Sequence, residues 1–292
     1  MLNQINNLIW EILTAHLTSA ETKWLQEKSA AQPLELMTAF VAAPRFLAKR
    51  TIKPTVEQTM ELNEILPGLM VEDWGVVRLS RVWLLSCLSS ADKDAYCRHI
   101  ETLFDTAEMN ELVALYSALP VLEYPDKWLF RATDAVRSNM GVVFDAIALR
   151  NPYPTQYFTE PAWNQLVLKA IFNDKPLHFI VGLEERANES LAFTLSDFAH
   201  ERWSAGRAIA PQVWRLVSKF LNEALLSDLQ KLFISTSIHD QQAAALTCHH
   251  SDYEPAKALL SQYAELEKAV QQNQLTWTHL EFTDLYTYVP NR

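Results

Sequence analysis

His200 is the most versatile single group in this chain, because an imidazole changes charge near neutral pH and can hold or pass a proton. It stands in Ala-His-Glu-Arg-Trp-Ser-Ala-Gly-Arg, 199–207. At helical spacing Ser196, His200 and Trp203 share one face, and Arg207 follows just past a glycine. That setting makes His200 a candidate acid/base or ligand-binding group. The plainer alternatives are a histidine satisfying a carbonyl at a helix end, and an Arg207 that only complements the helix macrodipole. Leu191, Leu195, Phe198 and Arg202 share a second face. Its apolar members are expected in the core, and Arg202 is expected to pair with a carboxylate such as Glu184, Glu185 or Asp197.

Three other segments carry more polar and aromatic groups than a core and a solvated surface require. Arg137, Asn139, Asp145 and Arg150 surround the stripe Val136, Met140, Val143 and Ile147. Asn151, Tyr153 and Tyr157 sit at Asn-Pro-Tyr-Pro, 151–154, which predicts an extended turn because proline disfavours α geometry in the residue before it. Asn164, Gln165 and Lys169 interrupt a helix that is apolar nearly all round, WNQLVLKAIF, 163–172. A helix of that kind is buried, so its few polar groups must be paired or face a cavity. With Arg186, these residues define a candidate ligand-binding set: Asn151, Tyr153, Tyr157, Asn164, Gln165, Lys169, Arg186, His200, Trp203 and Arg207. Several Arg and Lys side chains converging on one cavity suit a carboxylate or a phosphate.

No metal site is expected. Cys248, His249 and His250 are adjacent, and neighbours on a helix point about 100° apart, so the two histidines cannot easily share an ion. His239-Asp240 has no further ligands in register. Phosphate-binding glycine loops, dinucleotide fingerprints and nucleophile elbows are absent, and five glycines in 292 residues could hardly supply them. No cofactor is therefore expected.

The elements that must position these groups are helices. Apolar residues recur at three- and four-residue intervals nearly everywhere, starting with Ile5, Leu8, Ile9, Ile12 and Leu13, with His16 continuing the stripe. Helices are expected near 20–31, 55–66, 74–89, 92–106, 108–119, 126–138, 140–149, 160–172, 189–205, 211–221, 222–233, 237–249 and 254–272. Pro33 and Pro44 punctuate, Asn188 caps, and Gly206 ends its helix as a C′ glycine. Scarce glycine agrees, since β-hairpins spend it on positive-φ turns. The expected fold is all-α, a HEAT/armadillo-like right-handed stack of antiparallel helix pairs, with an irregular helical bundle as the alternative. Roughly 30–45 residues per pair fits such repeats. No linker breaks the chain, so 1–292 reads as a single domain. It comprises N-terminal helices over 1–120, helix pairs over 125–272 and a Thr/aromatic-rich tail over 273–292. The stretch LTWTHLEFTDLYTYV, 275–289, is open between a short strand and an ordered tail.

Charge narrows the partners. Lys+Arg total 25 against Asp+Glu 35, and both halves carry the excess: 14 against 19 through residue 150, then 11 against 16. A nucleic-acid binder concentrates basic charge, so none is expected. Three scattered cysteines form no disulfide framework, which fits a reducing cytoplasm. The N-terminus lacks a basic signal-peptide region, and no stretch reaches the ~18 apolar residues of a transmembrane segment.

Longer motifs stand at AIALRNPYP (146–154) with Tyr157-Phe158, WNQLVLKAIF (163–172) and GLEERANESLAF (182–193). With FAHERWSAGR (198–207), Pro211 and Trp214-Arg215, and QQAAALTCHHSD with AKALL (241–260), they carry a resemblance to the EboA family of bacterial proteins. It spans roughly 125–262; the first 120 residues resemble the family only in length and helical character. The resemblance implies a place in gene clusters with a membrane prenyltransferase, TIM-barrel proteins and a dehydroquinate-synthase-like enzyme, linked to making or moving a secondary metabolite. It transfers no catalytic residue. The expectation is thus a non-catalytic helical-repeat accessory protein binding a small anionic metabolite, or a protein partner from the same cluster, in biosynthesis or transport of a secondary metabolite, prenylated ones included. The alternatives are a metal-independent enzyme using His200 as acid/base, and a structural scaffold in which Arg186, Arg202 and Arg207 each hold a carboxylate.

Overall fold

The computed structural model describes residues 2–281. Among them the chain is helical, with no strand beyond an isolated bridge between Thr51 and Gly75. The described residues divide into two compact units, 2–162 and 163–281.

The first unit holds α1 (Leu2–Thr14), α2 (Ser19–Ser29), α3 (Pro33–Phe46), α4 (Val56–Ile65), α5 (Val76–Ser86), α6 (Lys93–Thr106) and α7 (Met109–Ala118). It continues through α8 (Leu129–Arg137), α9 (Gly141–Ala148), α10 (Tyr153–Tyr157) and the start of α11 (Glu160–Phe172). The stripe read on α1 is its buried face: Ile5, Leu8, Ile9, Ile12 and Leu13 are all at most 3 % exposed. Both α1 and α3 pack on α5, α5 packs on α7, and α7 packs on α9.

Prolines depart from the expectation in two places. Pro44 lies inside the last turn of α3 instead of ending it. Proline cannot donate to the carbonyl four residues back, which here is Phe40. Arg81 of α5 takes that place, donating from Nε to Phe40 O at 2.9 Å and from Nη2 to Glu111 Oε1 at 3.1 Å. The double-proline segment is likewise not extended. Pro152 is in the αR region and Pro154 sits in the first turn of α10, where a missing N–H costs nothing.

The second unit contains the rest of α11, then α12 (Glu189–Ser204), α13 (Glu223–Phe233), α14 (Ile238–His249), α15 (Glu254–Leu260), α16 (Ala264–Gln271) and α17 (Trp277–Glu281). Its centre is α14. Residues 243–248, three alanines followed by Leu246, Thr247 and Cys248, are all buried, and small side chains let neighbours approach from every side. Around it stand α13, α15, α16, α17 and the 3-10 segment Pro211–Leu216. The expected α-helix over 211–221 is replaced by that segment and a second 3-10 turn, Ser218–Phe220. A three-residue turn stacks Trp214 on Val217 and Val213 on Leu216, and all four are buried. The single helix expected over 254–272 breaks between Leu260 and Ala264. Of the stretch 275–289, Trp277–Glu281 is helical and 282–289 falls outside the described residues. No helix among the described residues is long and apolar enough to cross a membrane.

Candidate functional site

Helix α12 is held at both ends by its own sequence. Asn188 Oδ1 accepts from Leu191 N at 2.9 Å, the N-cap bond. At the other end Gly206 N donates to Trp203 O at 2.9 Å and Arg207 N to Arg202 O at 2.8 Å, the paired bonds of a Schellman motif. Gly206 has φ +68° there, which a side chain would strain. Between these caps, Leu191, Leu195 and Ala199 are buried. Ser196, His200 and Trp203 form the neighbouring face, as their spacing predicts.

That face meets Asp228 of α13. Asn222 caps α13 through Leu225 N at 3.0 Å, and Leu225, Leu229 and Leu232 form its buried stripe. Asp228 lies in the same stripe and is fully buried. An isolated carboxylate there would be very costly, and three groups compensate it. Ser196 Oγ donates to Oδ2 at 2.6 Å. His200 Nε2 and Lys231 Nζ both reach Oδ1, at 2.5 and 3.0 Å. His200 and Lys231 are themselves 48 % and 53 % exposed. Trp203 completes the group: its ring lies 5.7 Å from that of His200 and 5.3 Å from Lys231 Nζ. It also stacks on the buried Trp214 at 5.8 Å and 15°. The result is a buried anion presenting one cation, one imidazole and one indole to solvent.

The other predicted residues are placed differently. Asn151 is buried, its Nδ2 donating to Tyr116 O and Ala146 O at 3.0 and 2.8 Å, its Oδ1 accepting from Tyr153 N at 3.0 Å. Tyr153 is fully buried and donates to Pro125 O at 2.6 Å, and burial pushes its phenol pKa up. Tyr157 is half-buried, its ring 4.8 Å from that of Tyr153. These three belong to the first unit. In the second, Asn164 and Asn188 exchange amide hydrogen bonds of 3.1 and 2.7 Å, so Asn164 supports the α12 cap. Arg186 lies over the Trp163 ring at 4.8 Å. Gln165 is exposed, and Lys169 is half-buried with its pKa lowered by desolvation.

Arg202 does not take the carboxylate expected of it. It donates to Ala208 O at 2.5 Å and lies over Phe198, while Glu184 is held by Arg215. Arg207 is exposed, without a side-chain partner among the described residues. The scaffold reading required a carboxylate at each of Arg186, Arg202 and Arg207, and neither Arg202 nor Arg207 holds one among the described residues. Asp228 and Lys231 were missed. The available signal was an Asp flanked at helical spacing by Leu225, Leu229 and Leu232, a charge on a core stripe.

The profile of a family described as metabolite traffic protein EboA matches residues 5–218. The chain belongs to the EboA family. The match takes in the N-terminal helices, which the motifs around 146–207 do not reach, and ends before 241–260. Ser196, His200, Trp203 and Arg207 fall inside the family segment, whereas Asp228 and Lys231 lie beyond it. Among curated proteins and among solved structures, nothing matches the chain.

Proposed function

We propose that this member of a metabolite traffic family is a non-catalytic carrier or accessory that binds a small anionic metabolite of a secondary pathway. The site is the outward face formed by His200, Trp203 and Lys231, with Arg207 at the end of the same helix. The observation that carries this reading is Asp228. A buried carboxylate tied to three side chains fixes a cation and an imidazole beside an indole, so little ordering remains for a ligand to impose. A protein partner with an acidic or aromatic anchor is the alternative occupant. For the architecture we propose HEAT-like stacking in the first unit, supported by the row α5, α7, α9 in which each helix packs on the next but one. The ring of elements around α14 favours an irregular bundle for the second.

A catalytic reading has one specific support, the Asp228–His200 contact, which resembles the orienting half of an acid/base pair. Against it, Ser196 donates to Asp228 and not to His200, so this hydroxyl is not activated by the imidazole.

Native mass spectrometry of the purified protein, incubated with a polar extract of its own cells, tests both. A discrete adduct on the wild type, absent from a His200→Ala, Arg207→Ala variant, is the expected result. An unmodified protein mass with both proteins removes the carrier reading. A bound mass that changes with incubation time would favour the enzyme.

A further inference from the structure

We infer that the ligand of the His200–Lys231 face is an anion that also carries a hydrogen-bond donor, such as a hydroxyl, on an apolar body. This rests on the anion-binding reading above and narrows it.

The argument starts from one distance. His200 Nε2 stands 2.5 Å from Asp228 Oδ1. Two bare acceptors cannot approach so closely, so a proton lies between them, and in the neutral ring it is on Nε2. Lys231 Nζ, 3.4 Å from Nε2, therefore cannot donate to that nitrogen; its bond is the 3.0 Å contact to Oδ1. Nδ1 is then a bare acceptor. It has no partner among the described residues, and the ring is half exposed. Asp228 itself is spent, since Ser196, His200 and Lys231 occupy both its oxygens. It offers nothing to an incoming cation.

The face thus presents two unlike groups, the Lys231 ammonium 3.4 Å from Nε2 and the lone pair of Nδ1 on the same ring. Lys231 retains N–H bonds to give, and His200 Nδ1 has a lone pair to offer. Trp203 supplies flat apolar surface beside both, stiffened by its stack on Trp214. A ligand that is only anionic leaves Nδ1 unmatched once water is displaced. One with an added hydroxyl satisfies both ends, and a site built for a hydroxyl discriminates against analogues lacking it.

Isothermal titration calorimetry at about pH 8.5, above the ordinary imidazole range, with benzoate, the three hydroxybenzoate isomers and phenol tests this. The best hydroxybenzoate should bind about 5–10-fold tighter than benzoate, the scale of one net hydrogen bond, with phenol weakest. His200→Phe should abolish the preference between hydroxybenzoate and benzoate. Should His200→Phe fail to fold, the wild-type ratio between benzoate and its best isomer decides. Benzoate and every isomer binding within twofold of one another would overturn the inference while leaving the anion site standing, as would a preference that survives in His200→Phe. No binding by any probe at millimolar concentration would overturn the inference and the reading beneath it.

Discussion

Each unit buries a carboxylate against a cation, and the two clusters are finished in opposite ways. In the first unit Glu111 and Arg81 are 6 % and 1 % exposed, and Arg81 also donates from Nε to Phe40 O and from Nη2 to Val41 O. Burial lowers the Arg81 pKa from its ordinary value, against the opposing pull of Glu111 and Glu108. Every partner is internal, and the cluster repairs a hydrogen bond that Pro44 removed from α3. In the second unit Asp228 is as deeply buried, but His200 and Lys231 reach it from outside and keep about half their surface in water. A closed cluster stabilises a packing arrangement. An open one holds side chains ready for something that arrives.

The sharpest way to break this contrast is Arg81→Met. It leaves Glu111 charged and buried and Phe40 O without a donor, so it should cost about 3–5 kcal/mol in urea unfolding. Adding Glu111→Leu should return most of that loss, because a dry pair is often replaceable by apolar groups. Adding Pro44→Ala to the double variant should recover about 1 kcal/mol more by giving Phe40 O its helical N–H back. If Arg81→Met alone costs under about 1 kcal/mol, the cluster is not closed in the sense argued.

Asp228→Ala should cost less, about 2–3 kcal/mol, since Ser196 Oγ loses its acceptor while His200 and Lys231 turn to water. Lys231→Met should change unfolding by under about 1 kcal/mol yet weaken any anion that binds. Equal costs for Arg81→Met and Asp228→Ala would erase the distinction between the clusters and weaken the proposed site.

Much of this was readable beforehand, and the failures have physical causes. Local signals survived: the α1 stripe, the Asn188 cap, the Gly206 stop and the shared face of Ser196, His200 and Trp203 are written in neighbouring residues. Partners distant in sequence were not. Nothing near Pro44 announces that Arg81, across 37 positions, supplies its missing bond. Arg202 was assigned a carboxylate on charge alone, although a carbonyl six residues on was within reach. Asn151 and Tyr153 looked like ligand groups because polar residues beside prolines are also what a buried turn needs for its own backbone. Asp228 was legible as a charge on a core stripe, but its meaning depends on α12 lying against it.

A third cluster lies between the two extremes and gives a finer test. Glu21 is the N3 residue of the α2 capping box, 7 % exposed, and Arg50, whose side chain is 34 % exposed, binds it from the solvent side. Burial alone would raise its pKa. Donors from Ala48 N, Thr18 N, Thr18 Oγ1 and Arg50 outweigh that and hold the carboxyl down at about 2. A depressed carboxylate stabilises the fold above its unfolded pKa, and the contribution is lost as pH falls through the folded value. Wild-type stability should therefore decline from about pH 4.5 toward pH 2. Glu21→Gln should cost about 1–2 kcal/mol at pH 7, discounted for screening at Arg50, with the deficit shrinking through that window. Thermal unfolding at several pH values reads both curves. A deficit constant from pH 7 to pH 2 would mean that the glutamate matters for its shape and not its charge, placing this cluster with neither of the others.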